Sequence, residues 1–479
     1  MTYTFHTEPY AHQREAFERF KDQRFCALLC EQGTGKSKIA IDRACYLYER
    51  GEIDAVVVFA PNGVHRNWIV EEFPTHAPQR IVWSGLTWRS GSAGAKWFKD
   101  ACERTLTFSG LAVVVVNADA AITENLKRFM RRFLAQRTCA AYVDESTVIK
   151  TPGAKRTKSI VAMGSHCPYR TIMTGTPVTN GPLDFWGQFS FLSTDILGFK
   201  RYTAFKHHFA EWEERQTGSG QRFQVVKHYK NLEELKERIA PYSFRVTKEE
   251  CLDLPPKVYE KRFFTLAPEQ RRMYDHLREN YVAELSQDEY VSADAVLVRY
   301  LRLQQITSNF IQADPDDPPR TIAGTNPRLK ALMDLLDEMA GKAIIWARFR
   351  YDLETLYHAL RKAGYEVVRY DGTVGEDDRA DAIQQFQHGD ARIFLGNPQA
   401  AGRGLTLHAA NTVVYYSNAF DLEQRLQSED RPHRIGQTGS VTYYDLAAED
   451  TIDEKIIKAL REKKQLADYL NSDEIRDWI

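Results

Sequence analysis

The chain has 479 residues, too many for one hydrophobic core, and its 43% hydrophobic and 27% charged content is ordinary for a soluble protein. A net charge of −1 announces no polyanionic partner, so any attraction to phosphates depends on where basic groups cluster. Apolar runs such as Ala112–Val116 are far too short to span a bilayer, the N-terminus lacks a basic-then-apolar leader pattern, and the seven cysteines form no CxxC pair, which fits reduced thiols in a cytoplasm.

Phe25–Cys30 reads as a buried strand and Lys36–Arg50 as the helix after it, joined by Glu31-Gln32-Gly33-Thr34-Gly35-Lys36-Ser37. A strand, a tight glycine turn and a helix N-terminus converge unpaired N–H groups on an anion. In this pattern Lys36 reaches the β/γ-phosphates and Ser37 holds Mg²⁺. The strict phosphate-loop pattern has a further glycine where this chain has Cys30, but the Gly-x-Gly-Lys-Ser core is intact. Ala55–Ala60, Leu111–Val116 and Arg170–Met173 read as further strands. Ala140–Val143 is another, ending in Asp144 and Glu145. Side chains at the end of a parallel strand face the crevice where α/β ligands bind. There Asp144 would hold the metal, and Glu145 would orient and polarise the attacking water.

Residues 198–324 break the alternation. Lys230–Ile239, Pro268–Leu285 and Ala293–Phe310 have helical spacing, the last with Val296, Tyr300, Leu303, Ile306 and Phe310 on an apolar face. Thr217–Gly220 reads as a loop tip and Ala313–Pro319 as a linker. Ala343–Trp346, Glu366–Tyr370, Ala391–Leu395 and Thr412–Tyr416 then read as strands of a second α/β lobe, with Thr451–Leu470 as a closing amphipathic helix. Gln427–Gln437 is a turn with two closely spaced arginines, Arg431 and Arg434. Arginines delivered from a distant part of the chain can stabilise charge on a transferring phosphoryl group. His207, His208 and His433 have no companion ligands, so no metal other than Mg²⁺ is expected.

Taken in order, Gln13, Gly33–Ser37, Asn67-Trp68-Ile69-Val70-Glu71, Asp144-Glu145-Ser146 and Thr174-Gly175-Thr176-Pro177-Val178-Thr179-Asn180 resemble helicase superfamily two. Leu183–Leu192, Leu254-Pro255-Pro256-Lys257, Tyr370-Asp371-Gly372-Thr373 with Arg379, and Gln427–Gln437 resemble its Snf-type (Swi/Snf-like) branch. The resemblance implies two RecA-like, doubly wound parallel-sheet lobes, at residues 1–197 and 325–479, with helical insertions and a linker at 198–324. It implies ATP and Mg²⁺ between the lobes and DNA across both. Gln13 would contact adenine; Gly404 and Gln427 would also serve the nucleotide. Arg431 and Arg434 would be arginine fingers, and Thr174, Gly175 and Thr176 would couple the nucleotide to the DNA track. DNA contacts would fall at Asn62, Lys155, Gly372 and Thr406. Lys155 stands out among the basic clusters because it follows the Asp144 strand; Lys127-Arg128 with Arg131-Arg132, and Lys200-Arg201, read as solvated faces.

The chain departs from the family in two places. Ser146-Thr147 stand where Ala-His usually follows the acids, and Asn397-Pro398 replace a hydroxyl-bearing pair that would meet a DNA phosphate. Ala400-Ala401, Gly404-Leu405-Thr406 and Glu429-Asp430-Arg431 are instead similar to the fork-remodelling, strand-annealing branch. The expectation is a monomeric ATP-dependent translocase on double-stranded or branched DNA, of bacterial or phage type and cytoplasmic. A strand-separating helicase and a non-catalytic DNA clamp are the alternatives.

Overall fold

The computed structural model describes residues 3–62, 65–178, 181–216, 222–287, 293–312, 314, 317–401, 405–419, 421–434, 436–458 and 460–461. The chain divides into two compact units, one formed mainly by residues up to Asp253 and the other mainly by residues from Leu254 onward.

The first unit is built on β1 (Phe25–Leu28), β2 (Ala55–Ala60), β3 (Trp83–Thr87), β4 (Leu111–Asn117), β5 (Cys139–Asp144) and β6 (Tyr169–Met173). Later in the chain, β7 (Ala210–Gln216) and β8 (Arg222–Tyr229) form a two-stranded sheet whose residues are divided between the two units, and β9 (Ser243–Phe244) joins the main sheet of the first. The resulting order is β3-β4-β2-β5-β6-β1-β9, parallel at every pairing. Parallel strands covered on both faces read as continuous apolar runs, as Ala-Val-Val-Val-Phe-Ala does in β2. Alternate residues feed opposite cores: Val57, Phe59, Val114 and Val143 pack on one face, Val56, Val58, Val113 and Tyr142 on the other.

The second unit adds β10 (Lys257–Phe264), a small pair β11 (Phe310–Ile311) and β12 (Arg320–Thr321), then β13 (Ala343–Trp346), β14 (Val367–Tyr370), β15 (Ile393–Gly396), β16 (Thr412–Tyr415) and β17 (Val441–Ala448). The sheet order is β10-β17-β16-β13-β15-β14, again all parallel. Both expected α/β lobes are therefore present.

Several details differ from the expectation. The stretch read as helical insertions and linker contributes β9 to one sheet and β10 to the other, besides the helices Leu232–Ile239, Pro268–Gln287 and Ala293–Thr307. β10 escapes a pattern search because Lys-Val-Tyr-Glu-Lys-Arg-Phe-Phe is an edge strand, mostly exposed and carrying charge, which blunts edge-to-edge pairing. The helix Ala293–Thr307 buries Leu303 and Ile306, but Tyr300 is exposed. The closing helix is seen over residues 452–458 and 460–461; residues 459 and 462–470 of that expectation, like the Thr217–Gly220 loop tip, lie outside the described residues. Among the described residues no helix is long and apolar enough to cross a membrane.

Candidate nucleotide site and arginine turn

In the first unit the register of three neighbouring strands assembles the site. Leu28 at the end of β1 and Asp144 at the end of β5 are both Cα partners of Met173 at the end of β6. The phosphate loop, the acidic pair and Thr174 thus leave the sheet at one edge, the C-terminal one, where ligands of parallel sheets sit.

The loop needs its glycines. Gly33 and Gly35 have φ of 82° and 85°, and a Cβ on Gly35 would lie 2.3 Å from Nε2 of Gln13. Gly35 is the N-cap of the helix Lys36–Glu49, so Lys36 and Ser37 open its first turn. The Lys36 ammonium is buried and donates to the carbonyls of Cys30 (2.9 Å) and Glu31 (3.2 Å), holding the loop curled on itself. Two side chains clamp the loop from outside: Gln13 Nε2 donates to the Thr34 carbonyl at 2.9 Å, and His12 Nε2 donates to the same oxygen at 2.8 Å. Gln13 Oε1 also accepts from the Tyr10 N–H at 3.0 Å. Its amide is engaged at both ends, which fixes the orientation of the side chain.

Glu145 sits at φ 48°, ψ 64°, a left-handed conformation rare for a non-glycine residue. That twist turns its carboxylate toward Gln32, whose Nε2 donates at 3.2 Å, and toward Thr174, whose Oγ1 donates at 3.3 Å. Thr174 Oγ1 also accepts from the Thr176 N–H at 3.2 Å. Gly175 is required to be small, since a Cβ there would lie 2.9 Å from the Gln32 backbone N. Asp144 accepts from the Trp68 indole N–H at 3.0 Å and from the Glu145 N–H at 3.0 Å. Burial, then the adjacent Glu145 carboxylate, raise the Asp144 carboxyl to about 6, against the Trp68 hydrogen bond and the Lys36 charge. Two acids crowded near one ammonium, with the Ser37 hydroxyl at the helix start, form a hard-oxygen set that suits Mg²⁺.

In the second unit the helix Leu422–Glu429 leads into the arginine turn. Arg431 is buried; its Nε donates to the Gln427 carbonyl at 2.8 Å and its Nη1 to Leu405 O at 3.3 Å. Arg434 Nη1 donates to the same Leu405 oxygen at 2.9 Å, so both guanidinium groups meet at one carbonyl. A buried charge network fixes the helix. Arg425 binds Asp445 at 2.5 and 3.1 Å and Glu429 at 2.8 Å; Lys257 binds Asp430 at 2.9 Å; Tyr259 donates to Glu429 at 2.7 Å. Burial alone would depress the Lys257 ammonium, but Asp430 and Glu429 hold it well above the ordinary lysine value. The Gln427 side chain donates to Glu423 at 2.9 Å.

Of the expected DNA residues, two lie in each unit. Asn62 is exposed just past the end of β2, Lys155 is exposed at the start of the helix Lys155–Gly164, Gly372 is exposed after β14, and Thr406 is partly buried beside Leu405. Gly404 lies outside the described residues. Sequence reading assigned no role to Trp68, His12 or Gln32, which bind Asp144, the Thr34 carbonyl and Glu145 respectively. Trp68 and Gln32 lie within segments that the sequence marks, whereas His12 carries no signal beyond adjacency to Gln13. Phe129 and Phe133 are core, and Lys127 and Arg132 pair with Glu124 and Glu103, so that helix face is solvated as expected.

Residues 12–310 match the SNF2-related domain, and residues 327–436 match the helicase conserved C-terminal domain. The chain is 25% identical over 472 residues to a putative ATP-dependent helicase/translocase, YwqA, of Bacillus subtilis, covering 96% of this chain and 48% of the relative. It is 27% identical over 457 residues to a probable chromatin-remodeling complex ATPase chain of rice, covering 91% and 38%. It thus spans half or less of the length of these relatives. A SWI2/SNF2 ATPase core of Sulfolobus solfataricus is similar at 24% identity with a TM-score of 0.42, covering 98% of this chain and 94% of that one. With the first of these domain matches covering most of its length and the second following it, the chain belongs to the SNF2-related family.

Proposed function

We propose that the chain is an ATP-driven translocase that tracks double-stranded DNA by its phosphates. The observation that carries this reading is the register that brings Lys36, Ser37, Asp144 and Glu145 to one sheet edge. Ser37 and Asp144 would hold Mg²⁺, which supplies charge to the transferring phosphoryl group. Lys36 exchanges its loop carbonyls for phosphate oxygens. Glu145 orients water, with Gln32 and Thr174 aiming its carboxylate. Arg431 and Arg434 serve the same transfer as fingers, Gly404 and Gln427 serve the nucleotide, and Gln13 serves it through the loop and the base. Thr174, Gly175 and Thr176 carry the hydrolysis state from Glu145 toward a DNA track formed by Asn62, Lys155, Gly372 and Thr406.

A backbone-tracking motor has little base preference and steep salt dependence. Action on branched DNA, as a monomer in a bacterial or phage-infected cytoplasm, is the finer part of the same reading. The bacterial source of the B. subtilis relative and the seven free cysteines support only the bacterial cytoplasm in that reading. The test is the ATPase rate with no nucleic acid, duplex, single-stranded, forked DNA and RNA in parallel, joined to triplex displacement. Stimulation by duplex or forked DNA with displacement supports the translocase. Stimulation by single strands with separation of a tailed duplex replaces it with a strand-separating helicase, and no hydrolysis at all replaces it with a clamp.

A further inference from the structure

The turn after the acidic pair ends in a contact that the nucleotide site does not require. Ser146–Ile149 form a single 3₁₀ turn immediately after Glu145. Ser146 is fully buried and its hydroxyl donates to Oε1 of Gln188 at 2.6 Å. Gln188 is fully buried on the helix Phe185–Leu192, otherwise lined by Phe185, Phe189 and Leu192. Its Nε2 donates to the carbonyl of Pro177 at 2.7 Å and to that of Asp184 at 3.1 Å. A primary amide in an apolar helix face is costly unless its donors and acceptor are used, and here both ends are. The packing around it is equally tight: a Cβ on Gly187 would lie 2.0 Å from the Ile149 carbonyl, so the helix backbone rests directly on the 3₁₀ turn.

We propose that Gln188 is a positioning residue that joins the turn after Asp144-Glu145 to the segment after β6, through Ser146 on one side and Pro177 on the other. The proposal deepens the proposed function and rests on it. Glu145 and Thr174 already touch at their side chains, but that 3.3 Å bond is the one a nucleotide and its water would disturb. The Ser146–Gln188–Pro177 path lies behind it, in the core, and survives that disturbance. A shift of the acidic turn on hydrolysis therefore draws Pro177 with it and changes the posture of Thr174–Pro177. Ser146 stands where the family usually has a residue other than serine, so this chain makes the connection with a hydroxyl and an amide.

The test uses the full chain and three variants: Gln188→Met, which keeps volume and removes all three bonds; Ser146→Ala, which removes one donor; and the double variant. Thermal melting establishes that each is folded, and Ser146→Ala serves if Gln188→Met does not fold. Hydrogen exchange over residues 174–178 is measured with and without a non-hydrolysable ATP analogue and Mg²⁺. In the parent, nucleotide changes exchange in that segment; in each variant that response is lost, and the double variant is no worse than the poorer single, as for residues acting in one path. Steady-state kinetics add a second readout: duplex-stimulated kcat falls about tenfold, the size of one or two buried hydrogen bonds, with KM for ATP within about twofold. An unaltered exchange response in folded variants overturns the proposal, as does equal loss of stimulated and unstimulated rates, which marks plain structural support. A parent that hydrolyses ATP indifferently to duplex overturns the proposed function instead, and the exchange response still decides the role of Gln188.

Discussion

In the first unit the functional side chains rest on partners that a ligand can replace: Lys36 on two loop carbonyls, Glu145 on Gln32 and Thr174. In the second unit the arginine turn grows from a helix held by buried ion pairs, Arg425 with Asp445 and Glu429, and Lys257 with Asp430. The contrast separates two tasks. A nucleotide site must change partners within each turnover, so its resting bonds go to groups that a ligand can replace. A finger is useful only if its direction is fixed beforehand, because preorganised charge need not reorganise during the reaction. The cost falls in different places: the first half keeps two acids crowded together, while the second buries charges that are tolerable only when fully paired.

The largest effects should come from the two sets of functional groups themselves. Arg431→Ala or Arg434→Ala is expected to lower turnover by roughly 10³ to 10⁵, the range for loss of a finger, with DNA binding nearly unchanged. Glu145→Gln should retain ATP and stall hydrolysis, since a neutral amide polarises water poorly, and Lys36→Ala should weaken nucleotide binding. Steady-state ATPase and filter-binding assays check these. Normal hydrolysis by both arginine variants with DNA present would remove the second unit from the chemistry and dissolve the comparison.

Next in size is stability. Asp445→Ala leaves Arg425 buried with one carboxylate partner fewer and should cost about 3 kcal/mol, read as a lower midpoint in urea unfolding. Glu145→Gln, at the replaceable site, should shift that midpoint little. Equal shifts in the two variants would show that both halves are built with the same rigidity. A smaller effect is expected at the loop clamp. Gln13→Met removes the bonds to the Thr34 carbonyl and the Tyr10 N–H, and nucleotide affinity should fall roughly three- to tenfold, the scale of one or two net hydrogen bonds. Comparing ATP with GTP sharpens the point. A loss shared by both nucleotides assigns Gln13 to the loop, and a loss confined to ATP assigns it to the base.

Much of this was legible in the sequence because buried parallel strands announce themselves. β2, β4, β5, β13 and β16 are short apolar runs, and each was read within a residue or two of its observed bounds. Among the sheet strands of the two lobes, those that escaped lack that signature: β3 contains Ser84 and Gly85, β9 has two residues, β10 is a charged edge, and β17 carries Asp445 in its buried face. The positions of Asp144 at the end of β5 and Thr174 just past β6 were legible for the same reason. Gln188 and His12 were not, since their roles arise from which backbone carbonyl lies opposite, and no local pattern encodes that distance. The charge network around Arg425 was equally hidden, because Lys257 and Asp445 come from strands that the pattern missed.

A last test reads the second unit's buried polar chemistry by pH. Asp352 lies buried in the helix Arg350–Lys362, accepting at Oδ2 from Ser417 (2.8 Å) and Ser308 (3.3 Å), while Oδ1 has no hydrogen-bond partner among the described residues. Burial raises its carboxyl to about 7, against the opposing pull of Arg328. The unfolded chain titrates this group near 3.9, so between about pH 4 and about pH 7 the folded state holds a proton that the unfolded state has lost. Stability from this group is therefore fully present below the unfolded value and declines as pH rises toward 7. Asp352→Asn keeps the shape and cannot ionise. Its melting temperature should fall less between pH 5 and pH 8 than that of the parent, and at pH 8 it should equal or exceed the parent's. Parallel pH profiles for the two would mean that Asp352 is ionised in the folded chain, and that the second unit tolerates an incompletely bonded charge where the network around Arg425 leaves none.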